Sequence, residues 1–175
     1  FKQRINGKPL TYFDSANSSQ KPKSVINKIS NFHETEFSNV GRSVHTLAVK
    51  ATNRFENTRD LVKSYLNAKY REEIIFTKSA TESINLAASS FGEKFINEGD
   101  EILLTELEHH SNYVPWHFLR NSKKIKIEFA EINEAGEVTI EAIKNKITNK
   151  TKIISVTHLS NVTGAILPIK EIVEL

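Results

Sequence analysis

EIIFTKSATESINLAASSF, residues 73–91, changes its hydrophobic period within a few positions. Ile74, Ile75, Phe76 and Thr77 form a short apolar run of the kind that makes a buried strand, whereas Ile84, Ala87, Ala88 and Phe91 recur at helical spacing. Between the two runs Ser79 precedes Glu82 by three residues. This is capping-box spacing, in which the serine hydroxyl accepts from the helix's third amide and the glutamate reaches back to the cap's own amide. A strand feeding such a helix leaves unpaired N–H groups, and the positive end of the helix dipole, at the strand's carboxyl edge. That edge is a seat for a phosphate. The same residues also read as a helix cap and nothing more, so the choice rests on the rest of the chain.

Working outward, strands are expected at residues 101–105, 125–130 and 152–157. Helices are expected between and after them, at residues 113–120, around Ile140, Ile143 and Ile147, and following Pro168. This alternation predicts right-handed crossovers and an α/β fold with a mainly parallel sheet. Upstream, Pro22 opens a helix carrying Val25, Ile26, Ile29 and Phe32 and reaching Phe37, and Ala48, Ala51, Phe55, Val62 and Leu66 mark a longer amphipathic one. A short extended piece at residues 10–13 runs into a small polar loop containing Ala16 and Asn17. A second polar loop, residues 38–46, carries Arg42 and His45, which suit either plain solvent exposure or contact with an anion or a partner subunit. The helices of residues 1–70 thus precede a sheet region at 71–175, without repeats or a low-complexity linker.

Composition narrows the function classes. With 38% hydrophobic and 26% charged residues, 175 residues suffice for about one domain with a real core. The net charge of +3 is scattered among acidic neighbours, which favours a solvated surface over a nucleic-acid site. The absence of cysteine removes disulfides, thiolate zinc sites and a thiol nucleophile. No apolar run approaches the ~18 residues of a membrane span and FKQRING has no signal-peptide core, so the expectation is a cytoplasmic protein with no membrane partner. The chain opens on Phe1 and stops at Leu175 in an apparent helix, which reads as a fragment or a processed product.

Ligands of parallel α/β sheets bind outside the carboxyl ends of the strands. Three polar loops fall on that rim, at residues 79–82, 108–112 and 158–163. They offer a phosphate seat, the imidazoles of His109 and His110, and the amide of Asn161, a set that suits a flat phosphorylated heteroaromatic ligand. His110 and His117 could share a helix face, but zinc spacings such as HEXXH are absent and no metal site is expected. No G-x-S-x-G elbow supports a serine hydrolase.

NGKPLTYFDSA, SQKP, GRSVHTL, FTKSATESINL, EGDEILLTELEHHSNYVPW and THLSNVTGAILPI, in that order, cover almost the whole chain. In these segments it resembles the sulfur-mobilising (Suf-type) cysteine desulfurases and selenocysteine lyases of the class V aminotransferase-like, fold type I group. The resemblance implies the N-terminal part of a pyridoxal-phosphate transferase large domain, α-β-α with a mainly parallel sheet, truncated. It implies pyridoxal 5'-phosphate as cofactor, L-cysteine as substrate of the complete enzyme, a homodimer, and sulfur-acceptor or scaffold proteins of iron–sulfur cluster assembly as partners. Residue by residue, Thr81 with the amides of Ala80 and Thr81 matches the phosphate seat, His109 the imidazole stacked on the pyridine, and Asn161 the amide that bonds the cofactor's phenolic oxygen or the substrate. Ala16 and Asn17 match a loop near the substrate carboxylate, and Arg42 and His45 a segment near the dimer interface and active-site mouth. Ser79 and Ala80 stand where many relatives place glycine and threonine, and Gly41 where some carry histidine. The lysine of the internal aldimine and the cysteine that takes the sulfur have no counterpart here, so the chain by itself is expected to be inactive. A selenocysteine lyase, another class V enzyme, or a non-catalytic split-gene remnant are the alternatives.

Overall fold

A computed structural model describes residues 2–175, which separate into two units, one ending at Phe76 and one running from Thr77 to Leu175. In the first, Asn6 and Gly7 take positive φ of 50° and 78°, as a two-residue hairpin turn demands. They close a small antiparallel pair, β1 (Arg4–Ile5) and β2 (Lys8–Pro9). Pro22 leads into α1 (Lys23–Thr35), along which no residue is buried. The longer α2 (Thr46–Tyr65) begins where the Nδ1 of His45 accepts the amide of Ala48 at 3.4 Å, and it buries Ala48 and Ala51. A 3-10 turn at Arg71–Glu73 is fastened back to α2 by Arg71, whose Nε donates to Asp60 at 2.8 Å while its Nη2 pairs with the other carboxylate oxygen. Phe76 meets the ring of Phe55 edge-on at 5.5 Å.

Residues 74–77 correct an expectation. They have no strand partner among the described residues, although Ile74 is extended at φ −98° and ψ 112°. Ile74 is buried, but Ile75 and Phe76 are largely exposed. A strand exists only through its ladder, and an apolar run cannot provide its own neighbour. The run instead forms the passage from one unit to the next.

The second unit begins with α3 (Ala80–Ala87), which continues through a π-turn at Ala88–Gly92 into the short α4 (Glu93–Phe95). Next come β3 (Glu101–Thr105), a 3-10 turn at His110–Asn112, α5 (Val114–Lys123) and β4 (Lys126–Ala130). The unit ends with α6 (Ile140–Lys144), β5 (Thr151–Ile154) and α7 (Ile169–Glu174). The strand order is β4-β3-β5, and both pairings are parallel. Expected strand 152–157 is shorter than its apolar pattern, because Ser155 makes one last bond to Leu103 O at 2.9 Å and the chain then leaves the sheet.

Every residue of central β3 is buried. Its alternation divides the core: Ile102 and Leu104 pack with Ala88, Ile96, Trp116 and Leu119, whereas Leu103 packs with Leu107, Ala130, Ile143 and Ile172. Successive strand side chains point to opposite faces, so a strand with the consecutive apolar residues Ile102, Leu103 and Leu104 needs cover on both. Each such side chain contributes about 1.5–3 kcal/mol on burial. The result is a three-layer α-β-α arrangement whose strand ends all present one rim. Among the described residues no helix is long and apolar enough to cross a membrane.

Candidate functional site

Two short segments leave that rim and stand face to face: residues 106–112 after β3 and residues 155–157 after β5. With the start of α3 they line a hollow of about 390 Å³, bounded by Ala80, Ile84, His109, Ser111, Ser155 and Thr157 among others. A neighbouring hollow of about 310 Å³ is lined by Thr81, Asn85, His109 and Ser111. His109 and Ser111 belong to both.

The serine half of the capping box expected around Ser79 is present, whereas the glutamate takes a different amide. Ser79 Oγ accepts the Glu82 amide at 3.2 Å, and Glu82 Oε2 accepts the Lys78 amide at 2.7 Å, one residue before the cap itself. The helix's own ladder begins with the Ser83 amide on Ser79 O at 3.1 Å. The amides of Ala80 and Thr81 are therefore left without an acceptor among the described residues. They lie at the positive end of α3, beside the exposed hydroxyl of Thr81.

His109 opens the 3-10 turn with its Nδ1 accepting the Ser111 amide at 3.1 Å, and Ser111 Oγ lies 2.9 Å from the same nitrogen. A backbone N–H can only donate, so Nδ1 is the acceptor and the neutral ring carries its proton on Nε2. The ring is exposed to both hollows. A flat ring bearing a phosphate fits these residues: amides and a hydroxyl for the anion, and an imidazole face for the ring.

Beneath this surface lies a network that residue patterns alone did not single out. Asn112, 7% exposed, donates from Nδ2 to Glu108 Oε2 at 2.7 Å and to Ser155 O at 3.0 Å. Its Oδ1 accepts from Trp116 Nε1 at 3.1 Å and Ser155 Oγ at 2.6 Å. Glu108 Oε1 accepts the Thr105 hydroxyl at 2.6 Å and the Thr157 amide at 2.9 Å. Asn112 and Trp116 stand four residues apart at the entry to α5, but nothing in the sequence links them to Ser155 and Thr157.

The structure thus brings Ala80, Thr81 and His109 together. Asn161 lies beyond β5 in a loop closed by the Leu159–Ile166 bridge and is exposed, outside the residues that line either hollow. The buried residue of that loop is Ser160, whose Oγ accepts the amides of Val162 and Thr163, each at 3.3 Å. The other expected residues belong to the first unit. Asn17 Nδ2 donates to the Asp14 carboxylate at 3.3 Å in an exposed turn that includes Ala16. Arg42 is exposed in the bend before α2, and His45 caps that helix.

Comparison with known proteins agrees with this architecture. Residues 11–175 match the model of the aminotransferase class-V family. A probable cysteine desulfurase of Staphylococcus aureus (strain Mu50 / ATCC 700699) is 48% identical over 162 residues, which are 93% of this chain and 39% of that protein. The apo structure of a cysteine desulfurase from Thermococcus onnurineus NA1 superposes with a TM-score of 0.85 at 36% identity, over 93% of this chain and 40% of the other. The Escherichia coli cysteine desulfurase CsdA superposes with a TM-score of 0.77 at 30% identity, over 91% of this chain and 40% of the other. The chain therefore spans about two fifths of the length of these relatives. With its parallel sheet, its core and nearly its whole sequence accounted for, the chain belongs to the class-V aminotransferase family.

Proposed function

We propose that this chain contributes part of the pyridoxal-phosphate site of a cysteine desulfurase, which moves sulfur from L-cysteine to a protein thiol and releases L-alanine. The observation that carries the reading is the pair of acceptor-free amides at Ala80 and Thr81, set beside the same hollows as the His109 ring. Those amides and the Thr81 hydroxyl bind the phosphate, whose charge the α3 dipole favours. His109, whose bond from Ser111 keeps the imidazole from turning, would offer its ring face to the pyridine ring of the cofactor. By the resemblance, Asn161 would hold the phenolic oxygen or the substrate, and Ala16, Asn17, Arg42 and His45 would serve the substrate carboxylate and the mouth of a dimeric site. When bound, the cofactor supplies an electron sink for the charge that develops on the substrate's Cα.

The chain has no cysteine, and among the described residues no lysine lines either hollow. The sulfur-accepting thiol and the lysine that tethers the cofactor therefore come from polypeptide outside these 175 residues. In the complete reaction the C–S bond of cysteine breaks, the sulfur joins the acceptor thiol as a persulfide for transfer to a partner protein, and the carbon skeleton leaves as alanine. The test is pyridoxal phosphate and L-cysteine added to the chain, alone and combined with the complementary portion of a related desulfurase, with alanine as readout. Alanine appears only in the combination. Cysteine-dependent alanine from the 175 residues alone overturns the division of labour, and a combination that takes up cofactor yet makes no alanine overturns the desulfurase reading.

A further inference from the structure

We infer that Glu108 and Asn112 are positioning residues that clamp the two walls of the cleft together and thereby fix His109 opposite the phosphate seat. The inference rests on the cofactor reading above. Asn112 has all of its hydrogen-bonding capacity engaged, and its orientation is not free. Trp116 Nε1 can only donate, so the Asn112 oxygen must face the indole and its nitrogen must face Glu108. Everything that meets Glu108 is then a donor: Asn112 Nδ2, the Thr157 amide and the Thr105 hydroxyl. A carboxylate, with acceptor sites only, satisfies the three together, whereas an amide would set an N–H against an N–H.

The bonds cross the cleft. Glu108 and Asn112 belong to the wall after β3, and Ser155 and Thr157 to the wall after β5, 43 and 49 residues away along the chain. Glu108 immediately precedes His109, so the anchored carboxylate fixes the backbone from which the imidazole projects. On the far side, Trp116 is buried with Ile102 and Leu104 of β3, which ties the clamp to the core of the unit. Neither Glu108 nor Asn112 is assigned any contact with a reacting atom; both act through His109 and the cleft width.

The experiment compares Glu108→Gln, Asn112→Asp and the double variant in the chain combined with the complementary portion of a related desulfurase. Readouts are cofactor affinity by equilibrium dialysis, hydrogen exchange of the peptide containing Thr157, and the thermal transition. Each single variant is expected to weaken pyridoxal phosphate by about tenfold or more, the scale of a lost charge-assisted hydrogen bond, and to speed exchange at Thr157. The double variant is expected to recover part of both, because a glutamine N–H₂ then meets an aspartate oxygen; a purely structural role predicts additive losses instead. Ser155→Ala, which removes one donor to Asn112 without moving a charge, provides the comparison if Asn112→Asp does not fold. Undiminished cofactor affinity in both single variants, or strictly additive losses in the double, overturns the clamp. Failure of the unsubstituted protein to take up cofactor overturns the cofactor reading instead, and unchanged Thr157 exchange in Glu108→Gln would then overturn the clamp as well.

Discussion

At the scale of single residues, the ion pair of Asp60 and Arg71 in the first unit shifts both of its groups. Asp60 is held below its ordinary value of 3.8 by the hydrogen bond from Arg71, with the charge of that guanidinium adding to it against a smaller opposing effect of burial. Arg71 is raised in turn by the same bond. A carboxyl whose pKa is lowered on folding stabilises the fold at pH values above its ordinary one and ceases to do so as pH falls through the lowered one. Asp60→Asn should therefore lower the thermal midpoint at pH 7, with the gap to the unsubstituted chain closing as pH falls below about 3.8. The pair is solvent-exposed, so the gap should be small and should shrink further in high salt. Thermal melts across pH 2–7 would expose a gap that stays constant, which would remove the ion pair as its cause.

At the scale of elements, α3 depends on its cap and α4 on a missing side chain. Ser79→Ala deprives the Glu82 amide of its acceptor and should cost about 0.5–2 kcal/mol. Amide exchange in the first turn of α3 should rise with it, and unchanged exchange there would mean that Glu82 holds the turn without the hydroxyl. Gly92 has helical φ and ψ of −57° and −50°, so conformational freedom is not the reason for glycine. A Cβ there would lie 2.7 Å from Leu119 Cδ2, and Leu119 is buried in the core. Gly92→Ala would gain up to about 1 kcal/mol of helix propensity and lose about 1–3 kcal/mol to overpacking. A lower denaturation midpoint is expected, and a higher one would show that Leu119 can move aside freely.

At the scale of the whole molecule, the two units are covered very differently. The second has buried side chains on both faces of its sheet. The first contains α1 without a buried residue and leaves Val25, Ile26 and Ile29 exposed, with Phe13 94% and Val44 96% exposed. A hollow of about 420 Å³ between its helices is lined by Ile29, Phe32, Val40 and Phe55 among others. Apolar surface on this scale associates in water. The isolated chain should bind anilinonaphthalene sulfonate strongly and sediment as larger species with rising concentration. A dye-silent monomer with one cooperative, concentration-independent transition would contradict this.

The sequence by itself determined the elements whose cause is local. Strand β3 follows from the apolar run Ile102 to Leu104 after the turn at Gly99, and the cap of α3 from the Ser79 and Glu82 spacing. Each of these needs only neighbours a few residues away. The acceptor-free amides of Ala80 and Thr81 were legible for the same reason, because a capped helix leaves its first amides free. What only the tertiary structure decided depends on partners that the chain must fold to find. The apolar residues 74–77 have the composition of a strand but no ladder among the described residues, so they remain an extended passage. Asn161 has the chemistry of a binding amide, yet the loop turns on Ser160 and leaves Asn161 outside the hollows. Asn112 looked like one polar residue among several until Ser155, 43 residues on, came beside it. A hydrogen-bond network across two strand ends has no period, and so only the folded sheet could assemble it.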